Sequence, residues 1–170
     1  MITIKNTKQS ARELARAILE SGVFPQFDLD GVLLNASHRQ ACNPDGSLNL
    51  DDYRAKSTPE NIALDKEMAL IETIAILNVH RIPYNVITAR VACDGTLARL
   101  DKAGIRPNKI LARNGEHDTR RDYQLKTDHL VGNYSRRERE NMLIIDDNLA
   151  NCKALVDIGL KAIHVPFGGH

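Results

Sequence analysis

Phe27-Asp28-Leu29-Asp30-Gly31-Val32-Leu33 follows directly on the short apolar run Val23-Phe24-Pro25-Gln26-Phe27. An apolar run that ends in acids and a glycine reads as a buried strand handing over to a loop. Two other stretches repeat the pattern. Residues 82–87 read as a strand ending at Thr88-Ala89-Arg90, and residues 142–145 as a buried strand ending in Asp146-Asp147. Further short strands are predicted at 109–112 and 161–165. Helical patterns lie between them. Ala11, Leu14, Ala15, Ile18 and Leu19 make one apolar face, with a Ser10/Glu13 capping box before it and Gly22 to stop it. Thr58-Pro59-Glu60 opens a helix that the pattern carries to about residue 79, and another helix carries Lys126. Residues 35–57 are polar and turn-rich, with Asn43-Pro44-Asp45-Gly46 the plainest turn. Strands alternating with helices predict an α/β fold whose parallel sheet is covered on both faces. Ligands bind such sheets at the carboxyl ends of the strands. Asp28/Asp30, Thr88 and Asp146/Asp147 should therefore converge on one edge. Any one of these acids alone reads best as a helix cap; three separated pieces with two acidic pairs do not.

The rest of the composition narrows the partners. A chain of 170 residues can bury a core without disulfides or a structural metal. Its 23 basic and 22 acidic residues leave +1, which excludes grip on nucleic acid or anionic membrane by bulk field. No apolar run reaches a membrane span, and the N-terminus lacks a signal-peptide core, so a cytoplasmic protein is expected, in a host cytoplasm if it is of phage origin. Cys42, Cys93 and Cys152 are widely spaced and read as reduced thiols.

Four carboxylates at one sheet edge repel one another, and a divalent cation resolves the conflict; hard oxygen ligands suit Mg²⁺. Thr88 offers a hydroxyl and Lys126 a compact positive charge, both suited to phosphoryl oxygens. Zinc fits poorly, because the six histidines show no paired spacing. A carboxylate nucleophile beside a metal suits phosphoryl transfer.

On these residues the chain resembles the haloacid dehalogenase superfamily of phosphohydrolases. Residues 27–33 look like its first motif, Val86-Ile87-Thr88-Ala89-Arg90 its second, Lys126 its third and Ile144-Ile145-Asp146-Asp147 its fourth. Ala36-Ser37-His38-Arg39 and the stretch from Arg113 to Asp122 look, more particularly, like the 3′-phosphatase domain of bacteriophage polynucleotide kinase-phosphatase and its stand-alone relatives. The resemblance implies a three-layer Rossmann-like fold of about five strands in the order 5-4-1-2-3. It implies one phosphatase domain over 1–170, with an N-terminal extension at 1–21 and a small flap or cap at 34–58. It also implies roles. Asp28 attacks phosphorus and forms an aspartyl-phosphate. Asp30 protonates the leaving oxygen, then activates water. Asp28, Asp30 (through its backbone carbonyl), Asp146 and Asp147 hold Mg²⁺. Thr88 and Lys126 serve the transferred phosphoryl group, and Gly31, Arg39, Arg90, Arg113 and Arg120 belong to phosphate or substrate binding. Any kinase or ligase step would belong to a separate chain, since none of the ten glycines precedes a lysine and no phosphate-binding kinase loop exists here.

Two readings stay open for the arginines: forks for phosphates, or solvated loop charges. Residues 111–140 hold seven Arg/Lys and six Asp/Glu, so no basic stripe runs through them. Pro25 is a departure in what should be a central strand, and suggests a late strand start or a bulge. The function expected is a Mg²⁺-dependent phosphomonoesterase for 3′-phosphate ends of nucleic acid. The alternatives are a phosphatase for free nucleotides or small phosphomonoesters, and an inactive module that binds phosphorylated ends or docks a kinase.

Overall fold

The computed structural model describes residues 1–44, 49–115 and 117–167. Asp45 and Gly46 of the turn at 43–46, and Glu116 of the charged loop, lie outside the described residues. In chain order the elements are β1 (Ile2–Thr3), α1 (Lys8–Ser21), β2 (Phe24–Phe27), β3 (Leu34–Asn35), a 3₁₀ turn (Ser37–Arg39), α2 (Leu50–Ala55), α3 (Pro59–Ile62) and β4 (Lys66–Glu67). Then follow α4 (Ile71–Val79), β5 (Asn85–Val91), α5 (Asp94–Lys102), β6 (Lys109–Arg113), α6 (Asp122–Asn133), α7 (Arg136–Arg139), β7 (Met142–Asp146), α8 (Leu149–Asp157) and β8 (Lys161–His164).

The main sheet is parallel throughout, in the order β1-β8-β7-β2-β5-β6. The five strands from β8 to β6 keep the expected 5-4-1-2-3 order. The sixth, β1, comes from the stretch read as an N-terminal extension; it pairs Ile2 with Ile163 at the sheet edge. Successive strand residues feed opposite faces. Phe27, Val86 and Ile145 pack with Leu14, Ile18 and Leu77 from the α1/α4 side, whereas Ile87 and Ile144 pack with Leu130, Cys152 and Leu155 from the α6/α8 side. The three-layer α/β fold is thus present. Among the described residues no helix is long and apolar enough to cross a membrane.

Pro25 sits inside β2 without a bulge. Phe24 N–H donates to Asn141 O and Asp28 N–H to Ile145 O, so alternate amides of β2 face β7. The donor that Pro25 lacks would face β5, and that ladder begins only at Gln26, opposite Asn85. The strand therefore loses no bond to its proline. Gln26, buried in mid-sheet, accepts from Asn85 Nδ2 at 2.9 Å, and the same amide donates to the Tyr134 hydroxyl at 2.8 Å. A polar side chain in the central strand is tolerated because it is bonded.

Two helix readings are corrected. The first helix is capped by Thr7, whose side chain accepts from Ser10 N, so Ser10 lies within the first turn rather than before it. The single helix read from residue 58 to about 79 is two, α3 and α4, with β4 between them. Asp65, at the break, is buried and ion-paired with Arg39 and Arg90. β4 pairs antiparallel with β3, joining Leu34 to Glu67 and Asn35 to Lys66, and so closes the insert that follows β2.

Candidate active site

Because the strands are parallel, their carboxyl ends share one edge. Asp28 follows β2, Asp146 ends β7, and Thr88 lies where the pairing of β5 with β6 shifts register between Ile87 and Val91. Such an irregularity re-aims side chains at a sheet rim. α6 packs alongside and sends Lys126 inward. The predicted convergence of Asp28/Asp30, Thr88 and Asp146/Asp147 is therefore observed, and Lys126 joins them from α6.

Lys126 is fully buried. Its ammonium lies 2.7 Å from Asp146 Oδ2, 3.0 Å from Asp28 Oδ1 and 3.4 Å from Asp122 Oδ2. Burial alone would lower its pKa, but Asp146 and Asp28 outweigh it and hold the amine charged. Asp146 is fixed by the Asn148 N–H at 2.8 Å and by Asn151 Nδ2 at 3.1 Å. Burial drives the Asp28 carboxyl well above its ordinary range; Lys126 opposes this, while Asp146, Asp122 and Asp147 add to it. Asp147 is pushed up to about 7, by burial first and Asp146 second. One ammonium cannot balance Asp28, Asp122, Asp146 and Asp147. Oxygens of Asp28, Asp146 and Asp147 lie within 4.8 Å of one another, a donor set that fits a hard divalent cation. Among the described residues, Asp122 Oδ1 is also buried without a hydrogen-bond partner.

Asp30 contributes no carboxylate to that group. Arg90 grips it with both arms of its fork, Nε to Oδ2 at 2.7 Å and Nη2 to Oδ1. Gly31 has φ +73°, and a Cβ there would lie 2.2 Å from Asp147 Oδ2. Its role in this structure is to let Asp147 approach. Gly31→Ala should cost about 1–2 kcal/mol in backbone strain. It should also displace Asp147, and any rise in melting temperature on adding Mg²⁺ should be smaller than in the natural chain.

Each of the four arginines is already engaged. Arg39 is buried, bonded through Nε and Nη2 to Asp65 at 2.9 and 3.0 Å and through Nη1 to Ser57 Oγ at 2.9 Å. Arg90 also reaches Asp65 Oδ2, at 2.7 Å. Arg113 donates to the backbone carbonyls of Ala89, Asp118 and Arg120 and shapes its loop. Arg120, partly exposed, is paired with Asp118 at 2.6 Å and Asp128 at 2.8 Å. All four line a cleft of about 930 Å³, as do Asp28 and Thr88. Their positive charge is largely neutralised by neighbours, and none stands as an isolated anion hook.

Three residues of the site escape sequence reasoning. Asp122 precedes Lys126 by one helical turn, and Asn151 follows the acidic pair by one turn; that spacing was a usable signal. Asp65 had none, because its partners Arg39 and Arg90 are brought to it only by the fold.

The acid-rich cluster also gives a pH dependence. A carboxyl that holds its proton to about 7 in the fold and to 3.8 in the unfolded chain leaves stability untouched below 3.8. Above that the folded state is progressively penalised, fully so past about 7. In a chelator, resistance to urea should therefore fall between pH 4 and pH 7; Mg²⁺ should flatten the curve.

No protein-family model matches the chain, and no curated protein matches it in sequence. Two of the solved structures that match in fold are complexes. One is a structure of the Pnkp1/Rnl/Hen1 complex, with a TM-score of 0.59, 17% identity, and coverage of 85% of this chain and 46% of that one. The other is a structure of the Pnkp1/Rnl/Hen1 RNA repair complex, with a TM-score of 0.56, 16% identity, and coverage of 85% and 42%. The chain thus spans less than half of either protein it resembles. At this identity the likeness is one of fold. Strand order and site placement together define a haloacid dehalogenase-like fold, with an aspartate-lysine centre at the carboxyl edge of its sheet.

Proposed function

We propose that this chain is a Mg²⁺-dependent phosphomonoesterase that works through an aspartyl-phosphate on Asp28 and removes 3′-phosphates from nucleic-acid ends. The observation that carries the reading is Asp28 itself, at the end of the central strand, 3.0 Å from a fully buried lysine and grouped with Asp146 and Asp147. Asp28, Asp146 and Asp147 would hold the cation, which supplies charge neutralisation for the phosphoryl group and keeps the Asp28 carboxyl ionised. Asp28 then attacks phosphorus. Lys126 stabilises charge on the phosphoryl oxygens from a site closed to water. Thr88 bonds the same oxygens. Asp30, held by Arg90, donates a proton to the leaving oxygen and later takes one from water. Gly31, Arg39, Arg113 and Arg120 line or shape the cleft that receives substrate.

The 3′-end assignment rests on the motif resemblance, and on a fold shared with a protein of an RNA repair complex. In that setting a separate kinase or ligase chain would act on the end that this chain dephosphorylates. The paired arginines favour one other reading, a phosphatase for free nucleotides, because little unpaired positive charge lies ready for a phosphate backbone. Phosphate release with Mg²⁺ from a 3′-phosphorylated oligonucleotide, its 5′-phosphorylated isomer and a nucleotide panel decides between them. Fastest release from the 3′ end is expected. Faster release from nucleotides overturns the assignment, and no release from any substrate supports an inactive binding module.

A further inference from the structure

Asp65 lies outside the motifs and outside the cation cluster, yet its carboxylate is completely buried. It is held from three directions. Arg39 forks onto it at 2.9 and 3.0 Å, Arg99 Nε donates to its carbonyl at 2.9 Å, and its own N–H donates to Ile62 O at 3.1 Å. It is therefore a fixed post at the end of the insert. From it, one oxygen reaches Arg90 Nη2 at 2.7 Å, and Arg90 in turn grips both oxygens of Asp30. Arg39, Asp65, Arg90 and Asp30 form one continuous chain of paired side chains. Among the described residues, Arg90 Nη1 is buried with no hydrogen-bond partner. Asp65 is then the anchor that keeps the Arg90 guanidinium in its plane against Asp30.

We propose that Asp65 is a positioning residue for Asp30, acting through Arg90. The inference rests on Asp30 being the acid of the proposed reaction. In that step the bond from Asp28 Oδ to phosphorus forms and the bond from phosphorus to the leaving oxygen breaks. The electron pair stays on the leaving oxygen, which takes the proton of Asp30. A misplaced Asp30 harms this step only when the leaving group needs the proton. A merely structural role for Asp65 would lower all substrates alike.

The test uses the full chain with Mg²⁺ and two small substrates of similar size: p-nitrophenyl phosphate, with an activated leaving group, and benzyl phosphate, with a basic alkoxide. kcat/KM reports events up to phosphoryl transfer onto Asp28. Asp65→Asn should lose about tenfold or more in kcat/KM for benzyl phosphate beyond whatever it loses for p-nitrophenyl phosphate. Asp65→Glu keeps the charge but moves it, and should show the same imbalance to a smaller degree. If circular dichroism shows that the Asn variant does not fold, the Glu variant carries the comparison on the same criterion. Equal losses on the two substrates, or none, overturn the proposal while leaving the phosphatase reading intact. If the natural chain releases phosphate from neither substrate nor from a 3′-phosphorylated oligonucleotide, the phosphatase reading falls and this one with it.

Discussion

Asp28→Asn should abolish phosphate release, by at least about 10⁴-fold in kcat, with the fold preserved. The amide is isosteric with the carboxyl but cannot form the phosphorylated intermediate, so the loss should appear in kcat rather than in substrate affinity. Preservation of the fold follows from the surroundings. Lys126 keeps Asp146 at 2.7 Å and Asp122 at 3.4 Å as partners when Asp28 loses its charge. The variant also removes one of the carboxylates that crowd this edge, so resistance to urea without a divalent cation should equal or exceed that of the natural chain. Activity assays on purified variant, with circular dichroism as the folding control, check both halves. Near-normal turnover would remove Asp28 from the reaction.

Lys126→Met should do the opposite to stability. The thioether matches the lysine stem in length, and the Lys126 side chain is fully buried beside Asp146. Asp28 and Asp146 would be left as buried carboxylates without a counter-charge. Removing one partner of a buried ion pair costs about 3–5 kcal/mol. Here a bound divalent cation should recover part of that cost, since it neutralises the same oxygens. Urea unfolding in chelator and in Mg²⁺ measures the difference. Activity should be lost in both conditions, because no fixed cation remains on that side of the phosphoryl group. A variant as stable in chelator as the natural chain would show that Lys126 does not balance the cluster.

The arrangement of these groups was readable in advance to the extent that it depends on strand ends. Asp28, Thr88 and Asp146 each follow a predicted strand, and parallel topology alone brings such positions to one edge. Lys126 was accessible through motif resemblance, and β7 through its unbroken apolar residues 142–145. What the sequence did not reveal depends on contacts across the fold. The break at Asp65 was hidden by a continuous apolar spacing from 58 to 79; the partners that hold Asp65 there, Arg39 and Arg90, are distant in sequence. Ile2 and Thr3 carry no strand pattern of useful length, and become β1 only because β8 offers them an edge. The arginines mark the same boundary. Residue type suggested forks for phosphate, but the partners that already occupy those forks, Asp65, Asp118 and Asp128, come from other turns and loops.

The central claim is a covalent phosphoryl intermediate on one named carboxylate. Mass spectrometry of peptides from the chain, acid-quenched during turnover of a 3′-phosphorylated oligonucleotide with Mg²⁺, tests it most directly. The account predicts one added phosphoryl group on the peptide that contains Asp28, absent when Mg²⁺ is chelated and absent from Asp28→Asn. Continued phosphate release with no phosphorylated peptide, or with the group on another residue, would contradict it.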